Sequence, residues 1–382
     1  MITSTWVKRA IGPVVLAAAM LVAGSAAGAA ASGGRNSAGG VDPAITPYVH
    51  WGWVNVTTTT LGVYTPAAIN RGNSAGSLNV VNHYSTGSYT VTFRGIGDEG
   101  GVPHVSVIGS PTRWCGIGLF GKSGTREFVD VECYDATGTH AEAKFTVSFL
   151  STNYGPNRLG YLWHHDPSND YDVFDAHSHN NAGGPNHVTR TAAGTYTVTF
   201  PNLGTATGDV QVTPYFGGVF ASSGPAPAGI QVVDCTVASW SASSGDLDVK
   251  VRCFNTNGLP EDTYFTVTFM EDQGLKGPDS GRVAYLWASR AGSPSYTPPA
   301  NRRFSHPGGS IQVTREGFGK YTVTLGAMGS GGTVKVTAYA STPVRCIIKS
   351  IRTTGSPQKI KIRCYSYGFD PANTRFTLAY QR

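Results

Sequence analysis

Cys235-Thr-Val-Ala-Ser-Trp240 leads into a turn at Ser243-Ser-Gly-Asp246 and returns through Val249-Lys-Val-Arg-Cys253-Phe254. Twelve residues after the second cysteine comes Phe265-Thr-Val-Thr-Phe269. The pattern occurs three times, and the other copies are Cys115/Cys133/Phe145 and Cys346/Cys364/Phe376. Each copy has its cysteines 18 residues apart and its phenylalanine 12 later. A spacing held this rigidly marks an internal repeat. If each hairpin folds about its central turn, its two cysteines stand opposite one another. The expected disulfides are therefore Cys115–Cys133, Cys235–Cys253 and Cys346–Cys364. Residues opposed in the narrow, non-hydrogen-bonded type of pair are close enough for that bond. In a chain-entropy model such a loop contributes about 3 kcal/mol.

The 382-residue chain is 40% apolar and 14% charged, with 49 glycines. Threonine, valine and tyrosine recur in short alternating runs, and no useful helical periodicity appears. This is the profile of an all-β protein. Lys8 and Arg9 precede a short apolar run, Ile11 to Val22, and then small residues, as in a secretion signal over 1–31. A Gly/Ala/Ser/Pro-rich leader follows over 32–46. Six cysteines, all beyond residue 114, suit an oxidising compartment. The expectation is a secreted, extracellular protein with no membrane span in its mature chain.

Three repeats follow, at 47–151, 159–271 and 282–382. They open on Trp51-Gly-Trp53, Tyr161-Leu-Trp163 and Tyr285-Leu-Trp287, which aligns Trp53, Trp163 and Trp287 as core residues. Next come Tyr89-Thr-Val-Thr-Phe93, Tyr196-Thr-Val-Thr-Phe200 and Tyr321-Thr-Val-Thr-Leu325. A short strand precedes each, across Gly87, Gly194 or Gly319, which is a hairpin signal. The cysteine hairpin and the Phe-Thr strand close the unit. Alternation of aromatic or valine with threonine argues for one buried and one wet face. The fold expected is three tandem antiparallel β-sandwich-like repeats. The alternative is a six-bladed β-propeller, because the Thr-Val-Thr-type motif recurs six times.

Charge separates the repeats. Lys and Arg against Asp and Glu number 6 and 7, then 3 and 11, then 15 and 2, so the net charges are about −1, −8 and +13. In the third hairpin, simple alternation places Arg345, Lys349, Lys359, Lys361 and Arg363 on the face opposite the cysteines, with Lys349 directly across from Lys361. Like charges so placed repel, and a polyanion would relieve them. An acidic wall polymer, an anionic polysaccharide or nucleic acid are such partners. The competing readings are solvation and docking onto the acidic second repeat.

Other candidates are weaker. His164, His165, His177 and His179, with His187 and Asp166, Asp170, Asp172 and Asp175 nearby, carry donors that suit a divalent metal. Their spacing fits no standard zinc motif, and no other cofactor is indicated. Trp114 and Trp240 fall by alternation on the outer face, where exposed rings stack on sugars. Gly72-Asn-Ser74-Ala-Gly76 matches the nucleophile-elbow spacing but lacks the following helix, and it reads as a turn. Pro278-Asp-Ser280-Gly281 resembles part of a serine-protease motif without a histidine signature.

The layout of Tyr-Leu-Trp at 161–163 and 285–287, the three Tyr-Thr-Val-Thr runs, Arg252-Cys-Phe254 and the Phe-Thr strands resembles a group of secreted bacterial proteins. Those proteins carry tandem disulfide-clasped β repeats. The resemblance implies architecture and secretion, and no activity. The function expected is that of a non-enzymatic binding or surface-associated protein contacting anionic cell-wall polymers or glycans. The alternative is a secreted hydrolase with an unrecognised site. Threefold repetition favours the first, since catalysis needs one asymmetric constellation.

Overall fold

The computed structural model describes residues 48–153, 158–216, 232–276 and 281–382. The signal and leader, and most of the Pro278-Asp-Ser280 motif, lie outside these residues. Each repeat supplies nine strands. In the first, Gly62–Tyr64, Asn79–Ser85, Ser88–Arg94, Arg126–Tyr134 and Trp114–Ser123 lie side by side as the hairpin half. Arg71–Asn73, Val49–Val56, Lys144–Thr152 and Val102–Ile108 form the second half. Both halves bury alternate valines and aromatics between them, as a sandwich requires. All three disulfides pair as the spacing requires.

The sandwiches are not separate beads. Each hairpin half continues into the second half of another repeat, which gives three nine-stranded sheets. The joints are parallel one-residue pairings, Ile117 with Tyr215, Val237 with Tyr339 and Ile348 with Ile108. Each joint is sealed by a backbone bond, Phe216 N to Ile117 O, Ala340 N to Val237 O and Gly109 N to Ile348 O, at 2.7, 2.9 and 2.8 Å. The first repeat's hairpin half thus joins the second repeat, the second joins the third, and the third joins the first. The order is cyclic, so sandwiches expected in tandem close into a ring, and the six-bladed alternative is set aside. A shared sheet buries opposite faces in its two halves. Ile348 and Ile108 point into the third core, while Ile347, Val105 and Val107 point into the first.

Hydroxyls hold the ring together at its centre. Thr146, Thr266 and Thr377, each following its repeat's closing phenylalanine, donate to Val334 O, Pro103 O and Val210 O of another repeat, all at 2.7 Å. In turn the Val105, Val212 and Val336 amides donate to Thr213, Thr337 and Ser106 hydroxyls at 3.1–3.2 Å. Two rings of three equivalent bonds result. The expectation of a wet threonine face fails on the closing strand, where Thr146, Thr266, Thr268 and Thr377 are fully buried. Burial of a hydroxyl is tolerated because each is bonded. At one position on this axis stand His104, Gln211 and Lys335, all buried. The His104 ring nitrogens lie 3.1 and 2.8 Å from the Thr213 and Thr268 hydroxyls, and Lys335 Nζ donates to Thr146 at 2.9 Å. Burial, aided by the Lys335 charge, lowers the His104 pKa to about 3.

Two local features correct the sequence reading. A β-bulge falls at the same place in every hairpin, between Ile117 and Leu119, Val237 and Ser239, and Ile348 and Ser350. One residue is added, so the faces exchange beyond it. The opening tryptophans also align differently. Paired against the closing strand, Trp53 matches Tyr161 and Tyr285, and Asn55 occupies the place of Trp163 and Trp287. Gly87, Gly194 and Gly319 have φ of 73°, 58° and 65°. A Cβ there would lie 2.5–2.6 Å from the Cys133, Cys253 or Cys364 carbonyl oxygen, so only glycine serves.

His104 gives a pH prediction. Its pKa is lowered on folding, so the unfolded chain binds the extra proton between the ordinary value and about 3. Stability should therefore fall as pH drops from about 6.5 towards 3, by up to about 1.4 kcal/mol per pH unit from this group. His104→Gln, the side chain the second repeat carries here, should flatten that slope in urea unfolding at several pH values. An unchanged slope would contradict the assignment.

Candidate binding face

The third repeat's hairpin half presents an outer sheet face. Its strands are Ser295–Tyr296, Ile311–Gly317, Lys320–Leu325, Gln358–Ser366 and Val344–Ile351, in that lateral order. Inward residues are Val313, Tyr321, Val323, Ile360 and Ile362. By the period of two, the outward ones include Lys320, Thr322 and Thr324, paired with Arg363, Lys361 and Lys359. Lys359 and Lys361 are two residues apart on one face, about 7 Å along the strand. The expected one-to-one opposition of Lys349 and Lys361 gives way to the bulge, where Lys349 and Ser350 together face Lys361.

The five cations expected on this face have three fates. Lys349, Lys359 and Lys361 are exposed, and Lys320 joins them. Among the described residues none of the four makes a side-chain hydrogen bond or ion pair. Arg363 is half-buried and lies 3.5 Å from Glu316. The Thr322 hydroxyl, with the Lys361 and Arg363 charges, holds the Glu316 carboxyl below its usual range. Arg345 points away from its own sandwich but is covered by the other two repeats, which leave it 3% exposed. Its guanidinium donates to Pro111 O and Arg113 O at 3.0 and 2.7 Å, pairs with Asp234 at 3.3 Å and lies 4.3 Å from the centre of the Trp114 ring. Trp114, Asp234 and Arg345 each immediately precede a hairpin's first cysteine, so three equivalent positions meet at one end of the ring. Burial raises the Asp234 carboxyl, and the Arg345 charge opposes that rise. Of the docking onto the acidic second repeat weighed for the whole face, Arg345 makes one ion pair, with Asp234, and its hydrogen bonds and ring contact go to the first repeat. The neighbouring cavity on the axis holds about 30 Å³, room for a water or two.

Equivalent faces elsewhere differ in chemistry. Lys359, Lys361 and Arg363 correspond to Asp248, Lys250 and Arg252 in the second repeat and to Phe128, Asp130 and Glu132 in the first. Glu132 is engaged by Ser88, Tyr84 and His140, and Arg252 by Ser341 O. The basic surface belongs to one repeat in three.

Both tryptophans expected to be exposed are buried. Trp114 does face away from its own sandwich, but Phe216 and Val232 of the second repeat and Arg345 of the third cover it, leaving it 1% exposed. Trp240 is turned inward by the bulge to 7% exposure, packs on Trp287 and Tyr339, and donates to Thr207 O at 2.9 Å. Neither ring offers a sugar platform.

The histidines do not converge, which corrects the metal reading. His164 is buried against Tyr171, Tyr196 and Phe265, and burial lowers its pKa to about 3. His165 pairs with Asp175 at 3.3 Å, His177 bonds Gly101 O at 3.0 Å, and His179 packs on Tyr161. Burial lowers His179 to about 4. Among the described residues no three His, Cys, Asp or Glu side chains gather as a metal site. Ser74 Oγ accepts the Trp51 amide at 3.0 Å inside a turn closed by Gly76 N to Asn73 O, so the elbow-like spacing is turn chemistry. Among the described residues no helix is long and apolar enough to cross a membrane. No protein-family model, no curated protein and no solved structure matches the chain.

Arg345 and the lysines are separable by mutation. Arg345→Ala strands the Asp234 carboxylate and should cost about 3 kcal/mol in urea unfolding. Lys361→Gln should change stability by no more than about 0.5 kcal/mol. Equal effects would show that the two are not divided between structure and surface.

Proposed function

We propose that the protein is a secreted, non-enzymatic binding protein whose third repeat contacts an anionic polymer. The observation that carries this reading is the set of four exposed lysines, Lys320, Lys349, Lys359 and Lys361, on one sheet face; none makes a side-chain hydrogen bond or ion pair among the described residues, and Glu316 is the carboxylate that feels the Lys361 charge. A scaffold with three equivalent faces charges one of them. At the matching positions the first repeat carries Ser88, Gly118, Phe128 and Asp130 and the second Thr195, Ala238, Asp248 and Lys250, so the row of four lysines is not a requirement of the fold. Clustered like charges cost stability, and a polymer of fixed negative charge recovers that cost across several contacts at once. Three disulfides are consistent with an oxidising compartment outside the cytoplasm.

The test is binding of the full chain to immobilised polygalacturonate and inorganic polyphosphate at rising salt. Exposed charge pairs are worth about 0.2–1 kcal/mol each. Replacing the four lysines with glutamine should therefore weaken binding by at least about fourfold and blunt the salt dependence. Binding that survives the fourfold variant unchanged would refute the proposal.

A further inference from the structure

The three joints of the ring are built alike, and one is left unfilled. Where the second repeat meets the first, Trp163, Tyr215 and Phe120 form an aromatic cluster with ring centres 5.1–6.0 Å apart, and His177 closes it 4.8 Å from Phe120. Where the third meets the second, Trp287, Tyr339 and Trp240 do the same at 4.6–5.4 Å, with Arg302 stacked 3.4 Å over Trp287. Register places Asn55, Ile108, Ile351 and Asn70 at the four matching positions where the first repeat meets the third. Two amides and two isoleucines replace three rings and their cover. The result is an open groove of about 230 Å³ lined by those four residues together with Lys144 and Lys349.

The lining has a definite chemistry. Ile108 and Ile351 make an apolar floor. Asn55 is 4% exposed and donates through Nδ2 to Gly332 O at 2.8 Å, but its Oδ1 is buried without a hydrogen-bond partner among the described residues. A buried acceptor left unbonded is costly, and a ligand hydroxyl would satisfy it. Lys144 is exposed at the rim. Its counterparts are Tyr264, which packs on Tyr215, and Arg375, which lies over Tyr339. Lys144 pairs with Ile108 and has no ring to cover. Lys349 joins this rim to the row of Lys359 and Lys361.

We infer that this groove seats one anionic sugar ring of the polymer, its flat face on the isoleucines where the other joints hold an indole, its hydroxyls on Asn55 and Asn70, and its acid group between Lys144 and Lys349. The inference rests on the proposal that the neighbouring face binds an anionic polymer. It adds that binding is selective for a ring. A carboxylated and a phosphorylated sugar share the required chemistry, and the test separates them.

Calorimetry on the full chain would compare pentagalacturonate, a phosphomannan oligosaccharide and inorganic polyphosphate. At least one sugar should bind tenfold or more tightly than polyphosphate of equal charge. Asn55→Trp rebuilds the indole of the other joints, so it should fold, and it should abolish the sugar preference while leaving polyphosphate affinity within about twofold. Lys144→Gln, an exposed change safe for folding, should lower sugar affinity severalfold and spare polyphosphate. Lys359→Gln with Lys361→Gln should weaken all three ligands. The groove assignment is overturned if no sugar is preferred, or if Lys144→Gln and a folded Asn55→Trp protein keep the preference. If the double lysine variant binds all ligands as before, it is the reading of the basic face that fails.

Discussion

The second half of every repeat's sandwich has at its inner edge a strand that pairs with another repeat. That constraint shapes the molecule. Strands Val102–Ile108, Asp209–Tyr215 and Thr333–Tyr339 meet the hairpin strand of another repeat through a single parallel pairing. So short a joint would be weak alone. It is backed by the threonine and serine hydroxyls on the axis, which bond carbonyls and amides across each boundary. Backbone groups buried this deeply need partners, and here the partners lie in another repeat. Closing the ring also covers six strand edges, two at each joint, that would otherwise invite association.

A symmetric scaffold makes departures from symmetry informative. Axis positions tolerate His104, Gln211 and Lys335 because each finds polar partners there: two hydroxyls for His104, the Thr337 hydroxyl and the Asp209 carboxyl for Gln211, and the Thr146 hydroxyl for Lys335. The residues before the first cysteines differ as Trp114, Asp234 and Arg345, and they differ in order to meet one another. These departures are spent on internal contacts. Two others are not: the uncovered lysines of the third repeat's outer face, and the amides and isoleucines in place of rings at one joint. They adjoin at Lys349, and so the basic face and the groove are read as one surface.

Much of the architecture was legible from spacing. The cysteine pairs, the hairpin glycines and the sandwich faces all follow from the repeat and from alternation. Ring closure was not, because an edge strand shows the same pattern whichever repeat it pairs with. The bulge was hidden too, since Gly118, Ala238 and Lys349 share no chemistry that announces an extra residue. It displaced Trp240 from the surface to the interior and altered the register around Lys349. Arg345 looked like one more cation in a basic row, and only its distance to Asp234 and Trp114 shows its separate task. Short strands such as Tyr171–Val173 and Ser295–Tyr296 are too brief for alternation to register. Asn55 was masked by a two-residue misalignment of the opening tryptophans.

Native-state hydrogen exchange tests the closed ring most directly. The amides of Val105, Val212 and Val336 each donate to a hydroxyl in another repeat. If the ring is one cooperative unit, all three exchange only through global opening, with one common free energy and one common denaturant dependence. If the repeats are independent sandwiches, the three amides will exchange at distinct, lower free energies, and the shared-sheet account is wrong.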